Sequence, residues 1–76
     1  MSTIVRLRYG RICMYLHDHN PPHFHMRGPG YDACIRLDDF QVIAGLIDRR
    51  AYDEACDWVA QNRREVEDIW DELQKR

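Results

Sequence analysis

Between Tyr15 and Arg27 the chain reads Y-L-H-D-H-N-P-P-H-F-H-M-R, and all four of its histidines, His17, His19, His23 and His25, fall in that stretch. Imidazole is the side chain that titrates near neutrality and a common nitrogen ligand for metals, so this clustering beside Asp18 concentrates reactive groups. Two chemistries fit these residue types. Imidazoles converging with a carboxylate would bind a borderline divalent ion such as Zn, Ni, Mn or Fe and leave a position for water or substrate; His17, Asp18, His19, His23 and His25 are the candidate ligands. Alternatively, His23 and His25 would act as general acid and base in metal-independent RNA cleavage, with Tyr15, Arg27 and Arg36 flanking them and the arginines anchoring phosphate.

Such groups act together only if the backbone aims them together. The run His23 to Arg27 alternates, so Phe24 and Met26 facing a core would send His23, His25 and Arg27 out of the opposite face. Ile12 to His17, read in the same phase, turns Ile12, Met14 and Leu16 inward and Cys13, Tyr15 and His17 outward. The loop Asp18 to Pro22 joins the two runs, stiffened by Asn20-Pro21-Pro22. His17 is therefore expected about 5 Å from the other pair, with Asp18 and His19 at the rim. The parity of Phe24 decides whether this site exists.

The remaining elements follow the same logic. Thr3 to Tyr9 alternates, with Val5, Leu7 and Tyr9 on one face and Ile4, Arg6 and Arg8 on the other, and Gly10-Arg11 supplies a turn. Gly28-Pro29-Gly30 is a second turn, before Tyr31 to Leu37 offers Ala33, Ile35 and Leu37 to the core and Asp32, Cys34 and Arg36 to the other face. Cys34 thereby shares the histidine face, where a thiolate role competes with that of inert filler. Asp38-Asp39 closes a further hairpin into a short strand around Gln41 to Ala44, a stretch that also reads as a helix start.

The period then changes. Beyond Asp48, an expected N-cap, Tyr52, Ala55, Val59, Asn62, Val66, Ile69, Trp70 and Leu73 recur at steps of three and four. This pattern predicts one helix of up to 27 residues, with a break near Gln61-Asn62 as the alternative. Trp58 and Trp70 read as core or interface anchors. The expected fold is α+β: a small antiparallel β-meander of four to five strands, one face covered by a long C-terminal helix and the other open. At 76 residues and 9.1 kDa the chain is expected to form a single domain, 1–76.

Composition, at 45% hydrophobic and 32% charged, excludes a disordered tail or low-complexity linker. No apolar run approaches the roughly 20 residues needed to cross a bilayer, so no membrane partner is expected and the expected compartment is the cytosol. Cys13, Cys34 and Cys56, widely spaced and without a C-x-x-C pair, suggest reduced thiols. Residues 1–37 hold five arginines against two acids, a balance of +3, whereas residues 38–76 balance to −5. A nucleic-acid phosphate is thus expected on the basic sheet face, and a non-enzymatic alternative is a protein partner on the acidic helix around Glu65, Asp68 and Glu72. The uncovered face also fits a homodimer.

At D-H-N-P-P-H-F-H, Asp18 to His25, the chain resembles the small bacterial proteins grouped as domain-of-unknown-function family 4160. The likeness runs across nearly the whole chain: a short strand pair, the histidine segment, a glycine-containing turn, a strand with a polar turn, and a helix bearing tryptophan near its C-terminus. The resemblance implies a bacterial origin and a gene beside that of another small protein, as in toxin–antitoxin or regulatory pairs, hence a partner encoded nearby. It brings no reaction.

Overall fold

Alternation in the first half of the chain produces five strands: β1 (Ser2–Arg6), β2 (Arg11–Met14), β3 (His23–Gly28), β4 (Tyr31–Arg36) and β5 (Val42–Leu46). They form one antiparallel meander in sequence order, followed by α1 (Arg49–Gln61) and α2 (Arg63–Lys75). The structure, a computed structural model, describes residues 2–75.

Register sorts the side chains into transverse rows. Val5, Ile12, Met26, Ala33 and Gly45 form one row, and Phe24 pairs with Ile35 on the same face. Ile12, Met14, Phe24, Met26 and Ile35 are fully buried against Ala51, Ala55 and Val59 of α1 and Val66 and Trp70 of α2. Each such large apolar side chain contributes about 1.5–3 kcal/mol by leaving water, which is what fixes the sheet's parity. The rows Thr3–Cys13–His25–Cys34–Ala44 and Arg6–Arg11–Arg27–Asp32–Leu46 lie on the other face. That face is less bare than the pattern suggests, for Cys13 within it is fully buried.

Four expectations need correction. The expected single helix is two helices of 13 residues each. Asn62 ends the first: its amide N–H reaches both the Trp58 and Val59 carbonyls, and its side-chain amide donates to the Trp58 carbonyl at 2.9 Å. A short amide side chain competes with the helix ladder for carbonyls, and here the competition stops the helix. Asp48 caps the start as expected, its Oδ1 accepting from the Ala51 amide at 3.0 Å.

The second correction is that β2 ends at Met14 rather than running to His17. The backbone groups beyond it are satisfied by α2 instead of a strand. Gln74 donates to the Tyr15 carbonyl and the His17 amide donates to the Leu73 carbonyl. Leu16 consequently points to solvent instead of the core, and His17 takes the left-handed conformation, φ 55°.

Third, the β1–β2 connection is the four-residue segment 7–10, closed by the Leu7 amide donating to the Gly10 carbonyl. Between Thr3 and Val5 the register slips, so Ile4 is the extra residue of a bulge and packs against the core rather than facing away. Fourth, β4 ends at Arg36, one residue short of Leu37. The segment after the Asp38-Asp39 turn is a strand, β5, and not a helix start. It is an edge of the sheet, and Leu46, on the face away from the helices, is 83% accessible.

Candidate functional site

With Phe24 and Met26 buried, residues i and i+2 of β3 project together from the other face, and His23 and His25 stand side by side with ring centroids 5.2 Å apart. Tyr15 completes this side, its ring edge-on to His25 with centroids 4.8 Å apart and its hydroxyl accepting from Arg27 Nη1 at 3.0 Å. His23 is not open, however. Trp70 of α2 packs on its ring at 5.1 Å and leaves it 3% accessible.

The loop between β2 and β3 turns back over the two imidazoles, with a cis peptide at Asn20-Pro21. It delivers Asp18, whose Oδ2 lies 2.8 Å from His23 Nε2 and 3.6 Å from His25 Nε2, while Oδ1 accepts from the His19 amide at 3.0 Å. His23 Nδ1 is 2.7 Å from the Pro21 carbonyl, which can only accept, so that nitrogen carries a proton and the tautomer is set by the loop. Both ring nitrogens of His23 therefore lie within hydrogen-bond distance of an oxygen, Nδ1 of the Pro21 carbonyl and Nε2 of the Asp18 carboxylate.

Electrostatics follow from this packing. Burial works to raise the Asp18 carboxyl, but the His19 amide together with the charge and hydrogen bond of His23 outweighs it and holds the group below its ordinary value. Burial, aided by the charge of neighbouring His23, holds His25 below the usual histidine value against the pull of Asp18. Burial and the nearby charges of Asp18 and Asp32 push the Cys34 thiol up to about 11.

Cys34 lies directly across from His25 in the β3–β4 register. One ligand atom each from His23, His25 and Cys34 fall within 4.8 Å of one another, a group able to hold a metal ion. Cys34 stood outside the expected ligand set; its outward parity on β4 was the signal for it. Of the expected ligands, His23, His25 and Asp18 are brought together. His19 stands at the exposed rim with Nδ1 3.3 Å from Asp18. His17, expected beside them on a strand, is instead in the exposed turn after Tyr15 and is not in the group of three. Arg27 and Tyr15 flank His25, whereas Arg36 turns away to Asp38, Asp39 and Gln41.

Two imidazole nitrogens and a thiol sulfur are donors of the kind a borderline divalent cation accepts. The partly exposed imidazole of His25, with a carboxylate and a phenol beside it, is also equipped for proton transfer. Among the described residues no helix is long and apolar enough to cross a membrane. No curated protein and no solved structure matches the chain. The family described as domain of unknown function (DUF4160) matches residues 10–71, and the chain belongs to that family.

Proposed function

We propose that the protein binds one borderline divalent cation, most suitably zinc, between His23, His25 and Cys34, with Asp18 as fourth donor. The observation that carries this reading is the convergence of three ligand atoms within 4.8 Å on the outer face of the sheet. A filled tetrahedral zinc site, with bonds of about 2.0–2.3 Å, sets ligand atoms about 3.3–3.8 Å apart, so modest side-chain rotation closes this one. The Pro21 carbonyl supports the reading, because a ligating histidine usually donates its second ring N–H to a carbonyl or carboxylate and presents the other nitrogen to the ion. Asp18 Oδ2, in reach of both Nε2 atoms, would exchange its hydrogen bonds for a bond to the cation.

Titrating untagged protein with Co²⁺ tests the proposal. Expected are one ion per chain, an intense near-ultraviolet band from cobalt–thiolate charge transfer, and loss of that band in Cys34→Ser. No uptake at stoichiometric cobalt or zinc would overturn it. A second reading, metal-independent RNA cleavage by His23 and His25, draws on the Asp18–His23 hydrogen bond of 2.8 Å, which orients one imidazole beside the other. It predicts cleavage that survives EDTA and disappears in His25→Ala; intact RNA at high protein concentration would remove it.

A further inference from the structure

The register sets Arg6 on β1 opposite Arg11 on β2, Arg11 opposite Arg27 on β3, and Arg27 opposite Asp32 on β4. Residues opposed across strands rise from the same face about 5 Å apart, and like charges so placed repel. Asp32 answers Arg27 alone, at 3.3 Å. Among the described residues no carboxylate lies within ion-pair distance of Arg6, Arg8 or Arg11.

The backbone beneath these cations is held firmly without using any guanidinium. The Tyr31 hydroxyl donates to the Tyr9 carbonyl and passes so close to Gly10 and Gly28 that a Cβ at either would collide with the phenol. The Glu54 carboxylate accepts from the Arg8 and Tyr9 amides at 2.9 and 2.8 Å, fixing the turn from the helix side. The result is a hollow of about 330 Å³ lined by Arg6, Arg8, Arg11, Arg27, Gly28 and Pro29.

We infer that this arginine row binds the phosphodiester backbone of a nucleic acid. Arginine's planar fork matches phosphate oxygens in pairs. Three adjacent strands span about 10 Å at the usual strand spacing, and one nucleic-acid strand presents about three phosphates over that length. A lone small anion would meet only part of such a row. The next residue on the same face of β3 is His25, and Tyr15 lies against both it and Arg27. A backbone laid over Arg27 therefore runs on toward a phenol face on which a base can stack. The inference does not depend on the metal reading.

Fluorescence anisotropy with labelled 12-nucleotide RNA, DNA of the same sequence and the corresponding duplex, all in EDTA, tests it separately from metal binding. Expected is salt-sensitive binding whose log–log slope is about −2 to −3 for the single strands, as three to four phosphate contacts require. Arg6→Gln with Arg11→Gln should lower affinity at least about tenfold and flatten the slope by about 1.4. The double lysine variant should retain most of the binding, and Asp68→Asn on α2 should bind as the parent does. Tighter RNA than DNA binding assigns the ligand as RNA; equal binding assigns the shared backbone. Absence of salt-sensitive binding to all three probes, an unimpaired double glutamine variant with a native circular dichroism spectrum, or displacement by stoichiometric inorganic phosphate would overturn the inference.

Discussion

His25 and Cys34 face each other directly across β3 and β4, and that pairing sets an imidazole beside a thiol whose environment keeps it protonated. A thiol pushed up to about 11 from 9.0 forms about a hundredfold less thiolate at neutral pH. The greater nucleophilicity of a more basic thiolate restores about six- to tenfold of that. Cys34 is accordingly expected to react with iodoacetamide at pH 7.5 about tenfold more slowly than a free thiol in the same assay. Cys13 and Cys56, both buried, should be slower still. Mass-spectrometric rates for each cysteine check this, and a Cys34 rate equal to that of a model thiol would contradict the described environment.

Much of this geometry was legible in the chain and some of it was not, for a physical reason in each case. The parity of Phe24 and Met26 could be read because strand alternation is local and burial enforces it. The end of β2 could not, because Tyr15 and His17 are claimed by Leu73 and Gln74, more than fifty residues away. The helix break at Asn62 is legible only as the alternative to one long helix, because Val59 and Val66, one either side, stay in phase, so the period alone does not show that the ladder stops. Cys34 was visible as outward-facing, but its place beside His25 depends on a register that only the paired strands define. The sequence places Asp18 only at the rim, at the start of the loop; its reach to both imidazoles comes from the fold of that loop.

Asp18 is also a structural clamp. Its removal leaves His23, buried under Trp70, with an unpaired Nε2. Hydrogen bonds involving charged groups are worth about 1.5–3 kcal/mol, so Asp18→Ala is expected to lower stability by that amount in urea denaturation. Asp18→Asn, which keeps one acceptor near the ring, should lose less. A change under about 0.5 kcal/mol in the alanine variant would show that water replaces the carboxylate without penalty.

The β4–β5 turn should carry a separate acid-sensitive contact. Hydrogen bonds from Arg36, joined by the Gln41 amide, hold the Asp39 carboxyl far below its ordinary value of 3.8. A carboxylate depressed in the folded state stabilises it above the unfolded value, and that contribution disappears as pH falls through the folded value. Asp39→Asn is therefore expected to be slightly less stable than the parent at pH 7, with the gap closing progressively below pH 3.8. Paired thermal melts from pH 7 to pH 2.5 measure it, and a gap that widens on acidification would reverse the assignment.

The arginine row sets stability against binding in a way one variant can expose. Arg11 sits between Arg6 and Arg27 in register, so its charge meets a like charge on both sides. Cross-strand pair energies run to about 0.2–1 kcal/mol, and removing the central charge relieves two unfavourable pairs at once. Arg11→Gln keeps the aliphatic stem and a hydrogen-bonding head while removing that repulsion. With the two pairs together in the lower part of that range, about 0.4–1 kcal/mol, it should raise the melting midpoint by about 2–8 °C at low salt, given that about 1 kcal/mol shifts a domain of this size by 4–8 °C. The gain should shrink at 0.5 M salt, where the screening length falls to about 4–5 Å, comparable to the spacing of the row. A parent protein saturated with the oligonucleotide should recover the difference, since bound phosphates neutralise the same charges. An Arg11→Gln melt that is lower than the parent's, or insensitive to salt, would mean that the three guanidinium groups diverge from the sheet and do not form a common anion surface.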